Sequence, residues 1–262
     1  MAPSLKKIII LSDIHLTSDG KKIADLDPLN KLEAAINHLL EKHKDLDHLV
    51  FTGDLANNGL ESEYAHLKKA TSGLSNPITF MMGNHDNRDS FRKEFPYYAF
   101  DENGFIQSSI NFGDYVLLFL DSLKDPYSDV EKNKGFLCKK RLDWLENQLS
   151  LVEKKKVILF VHHPPFPTGL EAMDAIRLEN PEDLYSILEK YKNVMHIVSG
   201  HIHRNISGNY REIGFSTFKS TSHQMSLNLK SEKVEFNNTE KSGYGVLCLR
   251  EDGLFIHNEE FN

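Results

Sequence analysis

Short apolar runs and segments with helical spacing alternate through most of the chain. The runs at residues 6–11 and 157–161 are continuous and rich in Ile and Val, which is typical of buried strands. Between them, Leu29, Leu32 and Ile36 fall on one face of a helix predicted over 28–44. The same criteria predict strands at 48–52, 78–82 and 196–200 and helices at 61–75, 88–94, 139–152 and 181–191.

Strand patterns without intervening helices occur in two further regions. Residues 105–112 and 114–121 predict an antiparallel hairpin joined through Gly113. Toward the end, strands are predicted at 210–218, 224–229, 244–249 and 254–258, and residues 230–243 predict an exposed hairpin or a mobile loop. Because strands alternate with helices over the first two thirds, the predicted fold class is α/β.

Aspartate, asparagine or histidine follows five of the predicted strands where each strand ends. The five segments are SDIHL (12–16), GDLANNG (53–59), GNHDN (83–87), HHPPF (162–166) and GHIH (200–203). In a mainly parallel sheet the carboxyl ends of the strands gather at one edge, where ligands bind. These side chains are therefore expected to lie together.

The chemistry of these donors fits two closely spaced divalent cations. Imidazole nitrogen and carboxylate oxygen suit Mn, Fe and Zn, and no thiolate is required. A carboxylate can bridge two cations, so one central aspartate can serve both. Two such ions can activate a hydroxide as the nucleophile. They can also stabilise the entering and the leaving oxygen of an in-line displacement at phosphorus.

Composition narrows the class of protein further. Of 262 residues, 40% are hydrophobic and 26% charged, which is ordinary for a soluble protein. The net charge of −7 argues against binding long nucleic acids. Cys138 and Cys248 form no paired motif, and the apolar run before Asp13 is too short for a signal peptide or a membrane span. We therefore expect a cytoplasmic protein without a membrane partner.

The ordered motifs resemble those of a known family. DxH (13–15), GD (53–54), GNHD (83–86), HHP (162–164) and GHxH (200–203) together resemble the calcineurin-like metallophosphoesterases, in particular the bacterial class III cyclic-nucleotide phosphodiesterases and glycerophosphodiesterases. The resemblance covers residues 6–225. It implies a four-layer α-β-β-α sandwich with two mixed sheets, forming one domain over 1–262 with cap or lid loops near 124–137 and 230–243.

The resemblance also implies roles for individual residues. His85 would contact the phosphate and protonate the leaving oxygen, with Asp86 as its partner, and Asp54 and His85 would be the catalytic pair. Asn84 and His85 would contact the substrate, and STSHQ (220–224) resembles a glycerophosphodiesterase motif that places His223 at the rim. The implied metal ligands are Asp13, His15 and His203 for the first ion, Asp54 as the bridge, and Asn84, His162 and His201 for the second. His162 and His163 are not both ligands in this pattern, and we favour His162.

The expected function is hydrolysis of a small soluble phosphodiester, either a glycerophosphodiester or a 3',5'-cyclic nucleotide, by in-line attack of a hydroxide that bridges two divalent ions (Mn, Fe or Zn). The STSHQ segment slightly favours glycerophosphodiesters. The alternatives are a phosphomonoesterase and a non-catalytic scaffold with the same fold. A homo-oligomer is compatible with the resemblance.

Two residue pairs have open interpretations. Asn57 and Asn58 fit a turn before Gly59 better than a pocket wall. Tyr97 and Tyr98 fit a pocket wall and core packing equally well.

Overall fold

The computed structural model describes residues 5–18, 20–126 and 131–262. Its strands are β1 (Lys6–Leu11), β2 (His48–Phe51), β3 (Ile78–Phe80), β4 (Ser108–Phe112), β5 (Tyr115–Leu120), β6 (Lys156–Val161), β7 (Val194–Ser199), β8 (Ile206–Tyr210), β9 (Ile213–Thr217), β10 (Gln224–Met225), β11 (Phe236–Asn237), β12 (Ser242–Arg250) and β13 (Gly253–Phe261). Its helices are α1 (Pro28–Lys42), α2 (Glu61–Thr71), α3 (Arg88–Glu94), α4 (Lys139–Leu151), α5 (Glu171–Asp174) and α6 (Pro181–Leu188).

The strands form two mixed sheets and one small ribbon. The first sheet has the order β13-β12-β1-β2-β3, in which β1, β2 and β3 are parallel and β12 runs antiparallel to β1. The second has the order β4-β5-β6-β7-β9-β8, with β5, β6, β7 and β9 parallel. In each sheet the parallel strands therefore end at a common edge.

Alternating side chains along the central strands build four layers. In β1, Ile8 and Ile10 face the second sheet and pack with Phe160 and Val198, whereas Ile9 and Leu11 pack beneath α1 and α2. The outer face of the second sheet packs in the same way against α4 and α6. The predicted α-β-β-α sandwich with two mixed sheets is confirmed.

Helix starts follow from local capping. The Asp27 carboxylate accepts hydrogen bonds from the backbone nitrogens of Leu29 and Asn30, and Pro28 occupies the first helical turn of α1. Asn87 caps α3 in the same manner, directly after the GNHD motif. The cap thus fixes where the motif ends and the helix begins.

Two predicted strands and one unpredicted helix differ from the sequence-based expectation. The strand predicted at 210–218 is observed only as β9, and it is preceded by the unpredicted β8 and a turn at Arg211 and Glu212 in the left-handed conformation. Helix α5 was not predicted, because four residues are too few for a periodic pattern. The strand predicted at 224–229 is only β10, which pairs with β11 inside the predicted 230–243 hairpin.

Two expectations concern loops and membranes. The predicted lid at 124–137 lies partly outside the described residues, since 127–130 are not among them. Within the described ranges, no helix is both long and apolar enough to cross a membrane.

Candidate metal centre

Strand ends from both sheets bring the predicted ligands together. Asp13 and His15 follow β1, Asp54 follows β2 and Asn84 follows β3 in the first sheet. In the second sheet, the parallel strands β6 and β7 are followed by the candidate histidines. All seven residues predicted to hold metal are buried: Asp13, His15, Asp54, Asn84, His162, His201 and His203.

Asp54 lies at the centre of this cluster. Its Oδ2 atom is 3.6 Å from Nε2 of His15 and 3.5 Å from Nε2 of His162, so one oxygen faces imidazoles from both sheets. Its Oδ1 atom accepts a hydrogen bond of 2.9 Å from the backbone nitrogen of His85. The two oxygens of the carboxylate therefore have different surroundings, one structural and one facing the candidate ligands.

The first donor group consists of Asp13, His15, Asp54 and His203, whose donor atoms lie within 4.8 Å of one another. Nε2 of His203 is 3.1 Å from Nε2 of His15 and 3.5 Å from Oδ1 of Asp13. Nitrogen and oxygen ligands about 2.1 Å from a single cation lie roughly 3–3.5 Å apart. The spacing of this group fits one cation.

The second donor group has buried polar atoms without hydrogen-bond partners in the described part of the protein. They include Oδ1 of Asn84 and Nε2 of both His162 and His201. Nδ1 of His162 donates to the carbonyl of Thr52 at 2.8 Å, which leaves Nε2 directed toward Asp54. Buried polar atoms are rarely left unpaired, so this set also fits a cation.

His163 belongs to the same cluster but has a different environment. Its ring lies 4.9 Å from that of His201, and its Nε2 is also unpartnered. However, its Nδ1 hydrogen-bonds Ser122 at 2.8 Å. Within the described ranges, neither ring nitrogen of His163 lies within ion-pair distance of the Asp54 carboxylate, whereas Nε2 of His162 does. The proximity to Asp54 favours His162 over His163.

The hydrogen-bond partner predicted for His85 is wrong. Nδ1 of His85 donates to the backbone carbonyl of Asn57 at 2.8 Å. Asp86 instead holds the surrounding loops, accepting hydrogen bonds from the backbone nitrogens of Gly83, Leu55 and Ala56 and from the hydroxyl of Tyr64. The preference for Asn57 as a turn residue alone was also wrong, since it lines the cavity and supports His85.

His223 is buried and contacts the first donor group. Its ring centroid is 4.5 Å from that of His203 and 5.1 Å from that of His15. Its backbone carbonyl accepts a hydrogen bond of 2.8 Å from Nδ1 of His203, which turns Nε2 of His203 toward Asp13. His223 therefore both lines the site and orients a candidate ligand.

Burial and charge shift the titration of the cluster in opposite directions. Burial, together with the neighbouring His162, lowers the pKa of His201 to about 3, and burial lowers the pKa of His15 as well. Burial also opposes the charged form of His162, but the charges of Asp54 and Asp13 and its hydrogen bonds outweigh it and raise its pKa to about 9. Neutral imidazoles are the form that binds metals.

Backbone strain is concentrated in the same loops. Asp13, His15, Asp54, His201 and His203 all have positive φ angles, between 49° and 71°. This region is unfavourable for residues other than glycine, at a cost of about 1–3 kcal/mol each. Such strain is maintained only where surrounding contacts fix it, and it is typical of functional sites.

The cluster opens into a cavity of about 240 Å³. Its polar lining includes Asn57, His85, Asn133 and His223 beside the candidate ligands, and its apolar lining comes mainly from α5 and the β10–β11 ribbon. No motif singled out Asn133 or the apolar side chains, although Asn133 lies in the predicted lid at 124–137 and Val234 and Phe236 lie in the predicted loop at 230–243. Tyr97 is fully exposed and Tyr98 packs on Phe80, and neither lines the cavity.

Fold and donor cluster together define a metal-dependent phosphoesterase, and the comparisons with known proteins agree. A model of the family described as "Calcineurin-like phosphoesterase" matches residues 6–205. The chain therefore belongs to the calcineurin-like phosphoesterases, which confirms the resemblance of its motifs.

Individual relatives cover nearly the whole chain. It is 36% identical to a "probable cyclic nucleotide phosphodiesterase" of Rhodopseudomonas palustris, over 97% of this chain and 92% of the relative. It is 35% identical to a "probable glycerophosphodiester phosphodiesterase" of Arcobacter nitrofigilis, over 95% and 91%. Among solved structures, a dimetal phosphatase from Danio rerio has a TM-score of 0.72 at 13% identity, covering 97% of this chain and 96% of its own. That likeness supports the fold.

Proposed function

We propose that this protein is a phosphodiesterase that requires two divalent cations and hydrolyses small soluble phosphodiesters. The observation that carries the proposal is the position of Oδ2 of Asp54, within 3.6 Å of imidazoles from two separate donor groups. Two divalent cations bound by these donor groups would polarise the phosphate and lower the pKa of a water molecule. Asp13, His15 and His203 would hold one cation, and Asn84, His162 and His201 the other.

His85 has the geometry expected of a group that acts on substrate rather than on a cation. Its Nδ1 is occupied by the carbonyl of Asn57, so its Nε2 remains available, and its ring lies 4.6 Å from that of His15 in the cavity wall. A histidine in this position can hydrogen-bond a phosphate oxygen or donate a proton to the leaving alkoxide. His223, which also lines the cavity, would contact the substrate as well.

The cavity and the relatives both support a small diester. A volume of about 240 Å³ is below the roughly 300–1,000 Å³ of pockets for drug-sized ligands. The relatives are named as phosphodiesterases for cyclic nucleotides and for glycerophosphodiesters. These two classes are therefore the first substrates to test.

The proposal is tested on protein stripped with a chelator and reloaded with Mn²⁺. We expect about two equivalents of bound metal by mass spectrometry and turnover of cyclic AMP or glycerophosphoethanolamine. Asp54→Ala should bind less metal and lower kcat/KM by more than about 100-fold, since even outer partners of metal ligands contribute 10–100-fold.

Asp89→Ala is the matched control, because it removes the same charge from an exposed position on α3. It should retain wild-type metal content and activity. Two full equivalents of metal and unchanged turnover in Asp54→Ala would refute the proposal, and so would a wild-type protein that binds no divalent cation.

A further inference from the structure

The cavity beside the candidate metal centre is polar on the side of the ligands and apolar elsewhere. The apolar side chains come from three segments that are distant in sequence: the loop before α1, the end of α5 and the β10–β11 ribbon. They are Ile23, Met173, Ile176, Met225, Val234 and Phe236. A single exposed apolar residue is common on protein surfaces, but an apolar wall assembled from three separate segments is not, and its presence beside the candidate metal centre requires an explanation.

The outer part of this wall is exposed although it is apolar. Phe236 is 56% exposed and Val234 41%, while Met173 and Met225 are buried behind them. The ring of Phe236 meets His223 edge-on at 4.9 Å, so the apolar wall begins directly beside the candidate metal centre. Exposed apolar groups that border a polar site are typical of ligand contacts.

The same wall is poor in charge. Among the described lining residues, Asp54 is the sole aspartate, glutamate, lysine or arginine, and it faces the candidate ligands. An ammonium headgroup would lose its hydration in this cavity without gaining a carboxylate partner from the described part of the wall, and a second phosphate would find no Lys or Arg among the same residues. An uncharged apolar group does not have this desolvation cost, and it removes the exposed apolar surface of the wall from water.

We propose that Met225, Val234 and Phe236, backed by Met173 and Ile176, form an apolar subsite for one ester group of the substrate. The subsite favours diesters with an uncharged ring or alkyl substituent over diesters with a charged headgroup. This inference rests on the proposed phosphodiesterase function and specifies which diesters the site accepts. Val234 and Phe236 are its specificity-determining residues.

The test uses two glycerophosphodiesters that differ in one alcohol. In the first the second ester group is benzyl, and in the second it is 2-aminoethyl, so the glycerol half is the same in both. On Mn²⁺-loaded protein we expect kcat/KM to be at least about tenfold higher for the benzyl ester, equal to about 1.4 kcal/mol from burying part of an aromatic ring.

Variants separate the subsite from the intrinsic reactivity of the two esters. Phe236→Ser should lower kcat/KM about tenfold for the benzyl ester and less than twofold for the aminoethyl ester. Val234→Ser should lower kcat/KM about threefold for the benzyl ester and less than twofold for the aminoethyl ester. The control is Leu227→Ser, which removes an apolar side chain that is 65% exposed in the same segment but does not line the cavity. It should change neither substrate.

Binding of benzyl methylphosphonate, measured by calorimetry at several temperatures, gives a second readout that does not depend on turnover. Burial of the ring predicts a negative heat-capacity change of binding. This change should be closer to zero in Phe236→Ser and the same as in the wild type in Leu227→Ser. If wild-type protein hydrolyses both esters equally well, or if Phe236→Ser lowers both equally, the subsite is refuted while the phosphodiesterase function stands. If the loaded protein hydrolyses no diester, the proposed function fails, and this inference fails with it.

Discussion

Replacement of Gly83 by alanine tests whether the site depends on the exact position of Asp54. A Cβ atom at residue 83 would overlap Oδ1 of Asp54 and lie 2.6 Å from both the backbone nitrogen of Asp54 and Cε1 of His162. Gly83 does not have a positive φ angle, so alanine can adopt its backbone conformation. The expected effect is therefore steric and acts on the central carboxylate and on a candidate ligand at once.

The size of the effect follows from the overlap. Non-bonded heavy atoms prefer separations of about 3.5–4.0 Å, so Asp54 and His162 must move by about 1 Å. Misplacement of a reacting group by 1 Å costs about 100-fold in rate, and overpacking destabilises a protein by about 1–3 kcal/mol. We expect kcat/KM to fall about 100-fold and the affinity for the second equivalent of metal to fall with it.

The measurements are metal content, kcat/KM for a phosphodiester and the melting temperature without metal. Gly73→Ala is the matched control, because nothing lies within 4 Å of a Cβ at that position and its φ is not positive. It should leave all three unchanged. If Gly83→Ala binds metal and turns over substrate like the wild type, then the position of Asp54 does not control the site, and the reasoning from its contacts is wrong.

Three further predictions concern other buried groups. His162→Ala should lose about one equivalent of metal, whereas His163→Ala should retain two, as measured by mass spectrometry; equal losses in both variants would refute the choice of His162. Arg141 is fully buried and donates to the carbonyls of Asp121 and Leu123, so Arg141→Met removes a hydrogen-bond donor from two buried acceptors. It should lower the free energy of unfolding by about 3 kcal/mol in urea titrations, with exposed Lys140→Met as an unaffected control. Burial lowers the pKa of His48 to about 4. Between pH 6.5 and 4, His48 therefore takes up a proton in the unfolded chain but not in the folded protein. The free energy of unfolding falls as the pH falls through this window. His48→Gln should lose less stability than the wild type over that range, and an identical loss would refute the assignment.

The sequence was sufficient to predict the features that depend on periodicity and strand ends. Strand β1 and helix α3 were predicted with their observed bounds, and the donors after β2 and β6 lie where parallel strands place them. This works because each strand end is a local feature of the sequence, while the parallel arrangement that joins the ends follows from the α/β class. The whole candidate cluster could therefore be anticipated.

The parts that could not be predicted depend on backbone atoms and on distant segments. Support for His85 comes from the carbonyl of Asn57, and a backbone acceptor has no signature in a sequence. The turn at Arg211 was missed because neither it nor Glu212 is a residue that favours positive φ. The apolar wall joins α5 to β11 across about sixty residues, and its members are individually ordinary.

The backbone strain and the hydrogen bonds of the centre have a common explanation in its two aspartates. Oδ1 of Asp13 accepts from the backbone nitrogen of His201, and Oδ1 of Asp54 accepts from that of His85, each at 2.9 Å. Each carboxylate thus ties its own loop to a loop from another strand, which helps to hold the positive φ angles of Asp13, Asp54 and His201. Because Asp54 uses one oxygen for this purpose, its other oxygen is held toward His15 and His162. Preorganisation of this kind lowers the cost of ordering ligands when a cation arrives, so removal of Asp54 should disrupt the loops as well as the ligand set.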